Sequence, residues 1–256
     1  MGDEIVSYFN YYGNKIFYEE FGDGEPLVLL HGNTVSGKFF TPVIPKLSDK
    51  YHVITLDFLG CGRSDRISEW PEDLWFEWSN QVQILMKHLG YEKANLIGCS
   101  GGAISAVNLA LENPDLVNAV VADSFEGIVA NAEITDQIRM GRNLAKENAG
   151  FCTMQRMMHG EDWESVLDAD TDAVMNHALH IKNFFHKDLK EMKVKLLITG
   201  SGEDEMFPEN HYEALFREIC QRTNMAEVYI FEHGNHPAMM SNMDTFISIC
   251  DEFFAR

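Results

Sequence analysis

The chain has 256 residues, 45% hydrophobic and 11% aromatic, enough for a single α/β domain with a large core. Its 20 Lys and Arg against 40 Asp and Glu give a formal net charge of −20, with neither sign gathered into a long block. This argues against a nucleic-acid or anionic-membrane surface, and no stretch approaches the ~18 apolar residues of a membrane span. Cys61, Cys99, Cys152, Cys220 and Cys250 lack metal or disulfide spacing, so a reducing, cytoplasmic setting is expected. The start Met1-Gly2-Asp3-Glu4 offers no basic region followed by an apolar run, so no signal peptide is expected. With Ser at position 7 instead of 6, the myristoylation pattern fails as well.

Ser7 to Tyr12 and Lys15 to Glu20 are β-like runs around Gly13-Asn14, predicting an antiparallel hairpin at a sheet edge. Leu27 to Leu30 is a continuous apolar run, the pattern of a strand covered on both faces, and it ends at His31-Gly32-Asn33-Thr34. Pro42 and Pro45 interrupt any helix over Phe39 to Leu47. Val53 to Asp57 predicts another buried strand, followed by Phe58 to Ser64. Leu74, Trp78, Val82, Leu85 and Leu89 recur at helical spacing and stop at Gly90. Ala94 to Ile97 is strand-like and runs into Gly98-Cys99-Ser100-Gly101-Gly102, from which a helix of small residues leads to Asn113-Pro114. Glycines two before and two after Ser100 keep side chains clear of a tight turn that lifts its hydroxyl above the sheet edge.

After a strand at Ala119 to Asp123, the strand signal vanishes for more than sixty residues. Helical periodicity replaces it in Asp136 to Asn148, Thr153 to His159, Glu161 to Leu167 and Asp172 to Phe185. Asp168, Asp170 and Asp172 suggest a calcium loop, but Ala173 and Leu179 stand where it needs Gly and Glu, so these acids are expected to cap the helix near Asp172. Lys195 to Thr199, a helix from Pro208 to about Arg222, the strand Glu227 to Phe231 and a last helix complete the chain. That last helix has an apolar stripe of Phe246, Ile247, Ile249, Cys250, Phe253 and Phe254. Strands alternating with helices imply a mostly parallel, doubly wound sheet. Residues 1–123 and 191–256 are expected to form the core, and 124–190 a helical cap inserted into it.

The sequence resembles the α/β-hydrolase family, from Leu27 to the C-terminus apart from the cap. His31-Gly32-Asn33 resembles its His-Gly oxyanion loop, Asp57 to Ser64 its Asp-x-x-Gly-x-Gly-x-Ser turn, and Gly98 to Gly102 its nucleophile elbow. Gly200 to Pro208 resembles the acid loop, in which an Asp precedes a Pro by four residues, and Gly234-Asn235-His236 the catalytic-histidine loop. The order Ser, Asp, His is the family's own. The chain departs from the family at Cys99, where many relatives carry His, and at Gly101, where many carry a larger side chain. The second departure is expected to open space beside the nucleophile.

A serine hydroxyl needs a base, a group to orient that base, and donors for the oxyanion. Ser100 is the expected nucleophile. Cys99 would place bulky Ile97 at minus two, so it is expected to pack under the turn. His236 is the expected base, with His233 as its competitor. Asp204 is the expected acid, flanked by Glu203 and Glu205, and Asp123 at the end of the preceding strand is the rival. The oxyanion donors expected are the backbone N–H groups of Gly101 and of Asn33, with Thr34 the alternative to Asn33, and His31 is expected to pack under the loop, outside proton transfer. His177 and His180 lack a third metal ligand nearby. Phe125, Ile128, Met140, Leu144, Phe151, Met154, Met157, Met158, Trp163, Met239 and Met240 are the apolar candidates for a pocket.

The resemblance implies an enzyme cleaving a small ester with an apolar portion through an acyl-enzyme on Ser100, without cofactor or metal. A carbon-carbon bond hydrolase, lactonase, aminopeptidase or acyltransferase would use the same residues, and a ligand-binding, receptor-like relative is the reading from another class. Relatives that attack with Asp are excluded by Ser100.

Overall fold

The computed structural model describes residues 7–256, so the Met1–Glu4 start considered for a leader lies outside the described residues. In chain order the elements are β1 (Ser7–Tyr11), β2 (Asn14–Phe21), β3 (Glu25–Leu30), α1 (Ile44–Leu47), β4 (Tyr51–Leu56), α2 (Leu74–Leu89), β5 (Ala94–Cys99), α3 (Gly101–Glu112) and β6 (Val117–Asp123). Then come α4 (Ala132–Ala145), α5 (Ala149–His159), α6 (Trp163–Asn176), β7 (Lys195–Ser201), α7 (His211–Arg222), β8 (Ala226–Phe231), α8 (Ala238–Ser241) and α9 (Met243–Phe254). Among the described residues the strands form one sheet in the order β1-β2-β4-β3-β5-β6-β7-β8. β1 and β2 are the antiparallel edge, and every pairing from β4 to β8 is parallel.

Both sheet faces are apolar, which is why the central strands read as unbroken hydrophobic runs instead of alternating ones. Side chains still alternate across the pleat. Val28, Leu30, Leu96, Val120 and Ile198 enter one core with Trp78, Val82, Leu109 and Ile219 of the helices on that face. Leu27, Leu29, Ile97, Val121 and Leu197 enter the other, with Phe246, Cys250 and Phe253 of α9. Each such Leu or Ile contributes about 1.5–3 kcal/mol by leaving water. α2 ends where expected, at Gly90 with φ 76°, a left-handed conformation that favours glycine.

Two of the expected helices are a single one. Trp163 to Leu167 of the first and Asp172 to Asn176 of the second lie in α6, which ends in a wider π-type turn at His177–Ile181. The stripe Trp163, Val166, Leu167, Asp170 and Val174 is buried continuously, and this packing overrides the weak helix propensity of the aspartates. The acids therefore cap nothing. Asp168 and Asp172 are exposed, whereas Asp170 is fully buried. α7 starts at His211, not Pro208, because Asn210 takes a left-handed φ of 61°.

Candidate active site

Parallel pairing brings the carboxyl ends of β3, β5, β6, β7 and β8 to one edge. Leu30 pairs with Gly98, Cys99 with Asp123, Asp123 with Thr199, and Ser201 with Phe231. Strand order reverses between β3 and β5, and loops diverging from such a point leave a crevice. Asn33 and Ser100 lie on those two loops.

Ser100 has φ 54° and ψ −124°, a strained conformation for a residue with a side chain. The turn is held by Ser100 N–H donating to the Asp123 carbonyl at 2.8 Å and by Ala103 N–H donating to the Ser100 carbonyl at 2.9 Å. A Cβ on Gly98 would strike the Gly102 carbonyl, and one on Gly102 the Leu30 carbonyl, so both flanking positions require glycine. Gly101 corrects an expectation. Its lack of a side chain opens no space, because a Cβ there would meet Asn33 Oδ1 and Trp75 Nε1, which already fill the room.

His236 Nδ1 lies 2.8 Å from Asp204 Oδ2, and the His236 backbone N–H donates to Glu205 at 3.0 Å. Tyr212 OH donates to the same Asp204 oxygen at 2.6 Å, and Met206 N–H to the other at 2.9 Å. Burial opposes the Asp204 charge, but these donors, His236 foremost, outweigh it and hold the carboxyl below its ordinary range. Among the described residues His236 and Ser100 are not hydrogen-bonded to each other. Such contacts often tighten only once substrate is bound. His233 is exposed and bonded to Glu203 at 3.0 Å, away from Asp204.

Asp123 is fully buried, and its carboxylate accepts from Thr199 Oγ1 at 2.6 Å, Met239 N–H at 2.9 Å and Ser124 Oγ at 3.2 Å. Burial pushes its carboxyl up to about 6 despite these bonds. The Cys99 thiol is buried under the turn and pushed up by desolvation. Phe58 N–H donates to His31 Nε2 at 3.0 Å, so Nδ1 carries the proton and donates to the Gly32 carbonyl at 2.7 Å. Burial lowers His31 to about 4 and keeps it neutral. Asp57 is buried and receives the N–H groups of Gly37 and Arg63, each at 2.7 Å, a structural role.

Sequence reading missed the surroundings of Asn33. Trp75 Nε1 donates to Asn33 Oδ1 at 3.0 Å, and Asn33 Nδ2 donates to Asp170 Oδ2 at 2.9 Å. Arg142 of α4 donates to the other Asp170 oxygen at 2.8 Å. A visible signal was an acid at the i+7 position of the apolar stripe begun by Trp163. Of the pocket candidates, Met140, Leu144 and Met157 point into solvent, each at least 60% exposed. His177 packs against Trp75 and Phe184, His180 pairs with Glu72, and among the described residues no cluster could hold a metal ion. No helix among them is long and apolar enough to cross a membrane.

A family model described as alpha/beta hydrolase fold matches residues 25–144. A 2-hydroxy-6-oxo-6-phenylhexa-2,4-dienoate hydrolase of Comamonas testosteroni is 25% identical over 94% of this chain and 91% of its own. A pimeloyl-acyl-carrier-protein methyl ester esterase of Legionella pneumophila is 24% identical over 93% of this chain and 99% of its own. The solved enol-lactonase of Burkholderia xenovorans superposes with a TM-score of 0.75 at 18% identity, covering 98% of this chain and 100% of that one.

Proposed function

We propose that this chain, similar to α/β hydrolases over residues 25–144 and along nearly its whole length to hydrolases at 24–25% identity, is a carboxylic ester hydrolase working through an acyl-enzyme on Ser100. The observation that carries this reading is the hydrogen-bonded pair of buried Asp204 and half-buried His236 on the sheet edge that also presents the strained Ser100 turn. In it, Ser100 Oγ attacks the acyl carbon of a small ester while its proton passes to His236 Nε2. Asp204 holds Nδ1–H and stabilises the imidazolium. The carbonyl oxygen becomes an oxyanion received by the N–H groups of Gly101, at the N-terminus of α3, and of Asn33. Collapse expels the alcohol with the proton from His236. Water, deprotonated by the same imidazole, then releases the acid and frees Ser100. These steps need neither metal nor cofactor. Residues 124–190 act as a cap that shapes the acyl or alcohol pocket, and Asp123 braces the turn without entering the triad.

Intact mass after treatment with a fluorophosphonate tests the reading. One adduct on the wild type and none on Ser100→Ala, with both proteins equally folded, is the expected result. No adduct on folded wild type would overturn it. A second reading, hydrolysis of a carbon-carbon bond by the same residues, draws on the full-length likeness to the dienoate hydrolase. Turnover of a 2-hydroxy-6-oxo-dienoate exceeding that of p-nitrophenyl esters of every acyl length would select it.

A further inference from the structure

The loop from Asn33 to Lys38 is gripped by the inserted helices. Asp170 of α6 is fully buried, and its Oδ2 accepts from Asn33 Nδ2 at 2.9 Å and from Thr34 N–H at 3.4 Å. His159, at the end of α5, has Gly62 N–H donating to its Nδ1 at 2.9 Å, so its Nε2 carries the proton and donates to the Thr34 carbonyl at 3.1 Å. Thr34 sits at φ 61°, in the left-handed region, with both of its peptide groups thus held by cap residues. Ser36 Oγ and Lys38 Nζ donate to the carbonyls of Met158 and Met157.

The chain Trp75, Asn33, Asp170, Arg142 has one allowed polarity. An indole N–H and a guanidinium can only donate. Trp75 therefore fixes the Asn33 amide with its oxygen toward the indole and its nitrogen toward residue 170. Residue 170 must then accept on both sides, from Asn33 and from Arg142, which a carboxylate does and an amide cannot.

We propose that Asp170, a cap residue remote in sequence from the oxyanion loop, is a positioning residue that clamps Asn33 so that its backbone N–H meets the developing oxyanion, making the hole's geometry depend on the seating of the cap. This rests on the acyl-enzyme reading above. Asn33 is tied at its side chain and at the next peptide, which leaves its own N–H direction little freedom. A displaced donor loses its effect in the transition state while substrate binding, set elsewhere, is unchanged.

The test uses fluorophosphonate labelling of the full chain, resolved into the saturating rate kinact and the half-saturation KI, with active-site titration and thermal unfolding alongside. Asp170→Asn is expected to lower kinact by about tenfold to a hundredfold and to leave KI within about threefold. The double variant Trp75→Phe, Asp170→Asn removes the donor that fixes the Asn33 amide, so the amide can turn and pair with the new side chain. Recovery of several-fold in kinact is expected. A merely structural role would lower the melting temperature and the active fraction without changing kinact of the active fraction. If Asp170→Asn does not fold, Asn33→Ala, which keeps the backbone N–H and leaves Asp170 paired with Arg142, is expected to show a comparable loss. Wild-type kinact in Asp170→Asn, or in Asn33→Ala where only that variant folds, overturns the proposal, as does a double variant with no recovery. A wild type that forms no Ser100-dependent adduct overturns the acyl-enzyme reading itself, a distinguishable failure.

Discussion

Asp123 closes β6 and Asp204 lies in the loop just past β7; both are buried, and the two have opposite properties. Asp123 accepts from two hydroxyls and one peptide N–H, and burial raises its carboxyl to about 6. Asp204 is less deeply buried, and the His236 ring, the Tyr212 hydroxyl and Met206 N–H hold its carboxyl below the ordinary range against the pull of burial. The difference teaches that a place at the end of a parallel strand does not make a carboxylate an orienting group. Its donors do, above all one that can itself become a cation.

The sharpest way to break this comparison is to neutralise each aspartate in turn. Asp204→Asn is expected to lower kcat for a p-nitrophenyl ester by about 10³–10⁴-fold, because the imidazole loses both its orientation and its counter-charge. Asp123→Asn should cost less than about tenfold, because Thr199 and Ser124 hydroxyls can accept from an amide as well as donate. If steady-state rates ranked the two variants the other way, the acid assignment would reverse.

Tyr212→Phe sharpens the contrast from the Asp204 side. Loss of a buried hydrogen bond to a charge should cost about 1.5–3 kcal/mol at neutral pH. Because the folded Asp204 is depressed, the stability it contributes is present above the unfolded value and is lost as pH falls through the folded one. The variant's Asp204 moves back toward its ordinary value, so acid unfolding should begin at a higher pH. An unchanged acid transition, followed by circular dichroism, would argue that the tyrosine only fills space.

The smallest effect is expected at Asp123, with the opposite sign. Its raised carboxyl favours the folded state when protonated, so stability falls as pH rises from the unfolded value, about 4, to about 6, and the burial penalty is present in full above that. Asp123→Asn should therefore be more stable than wild type by about 1–3 kcal/mol near pH 8, the difference shrinking toward about pH 4. Urea unfolding at the two pH values measures this, and equal stability at both would mean that Asp123 is not strained by burial.

A wider contrast separates the sheet from the helices between β6 and β7. In the sheet, period and punctuation are local, so the runs at Leu27 to Leu30 and Ala94 to Ile97, and the glycines around Ser100, could be read in isolation. The segment between β6 and β7 has only helical periodicity, and its acid run reads as a break between two helices. Asp170 reads there as a capping residue, whereas its place on the stripe from Trp163 to Val174 is that of a buried one.

The sequence by itself determined the α/β layering, the serine turn and the order of Ser100, Asp204 and His236, because backbone conformation, two-faced burial and glycine spacing act over a few residues. Only the tertiary structure decided which aspartate faces His236, that Gly101 leaves room for Asn33 and Trp75, and that Asp170 reaches the loop at Asn33 from 137 residues away. Each of these is a choice of hydrogen-bond partner across elements. Donor and acceptor capacity is written in a residue's type, but the partner is set by where packing brings the elements together.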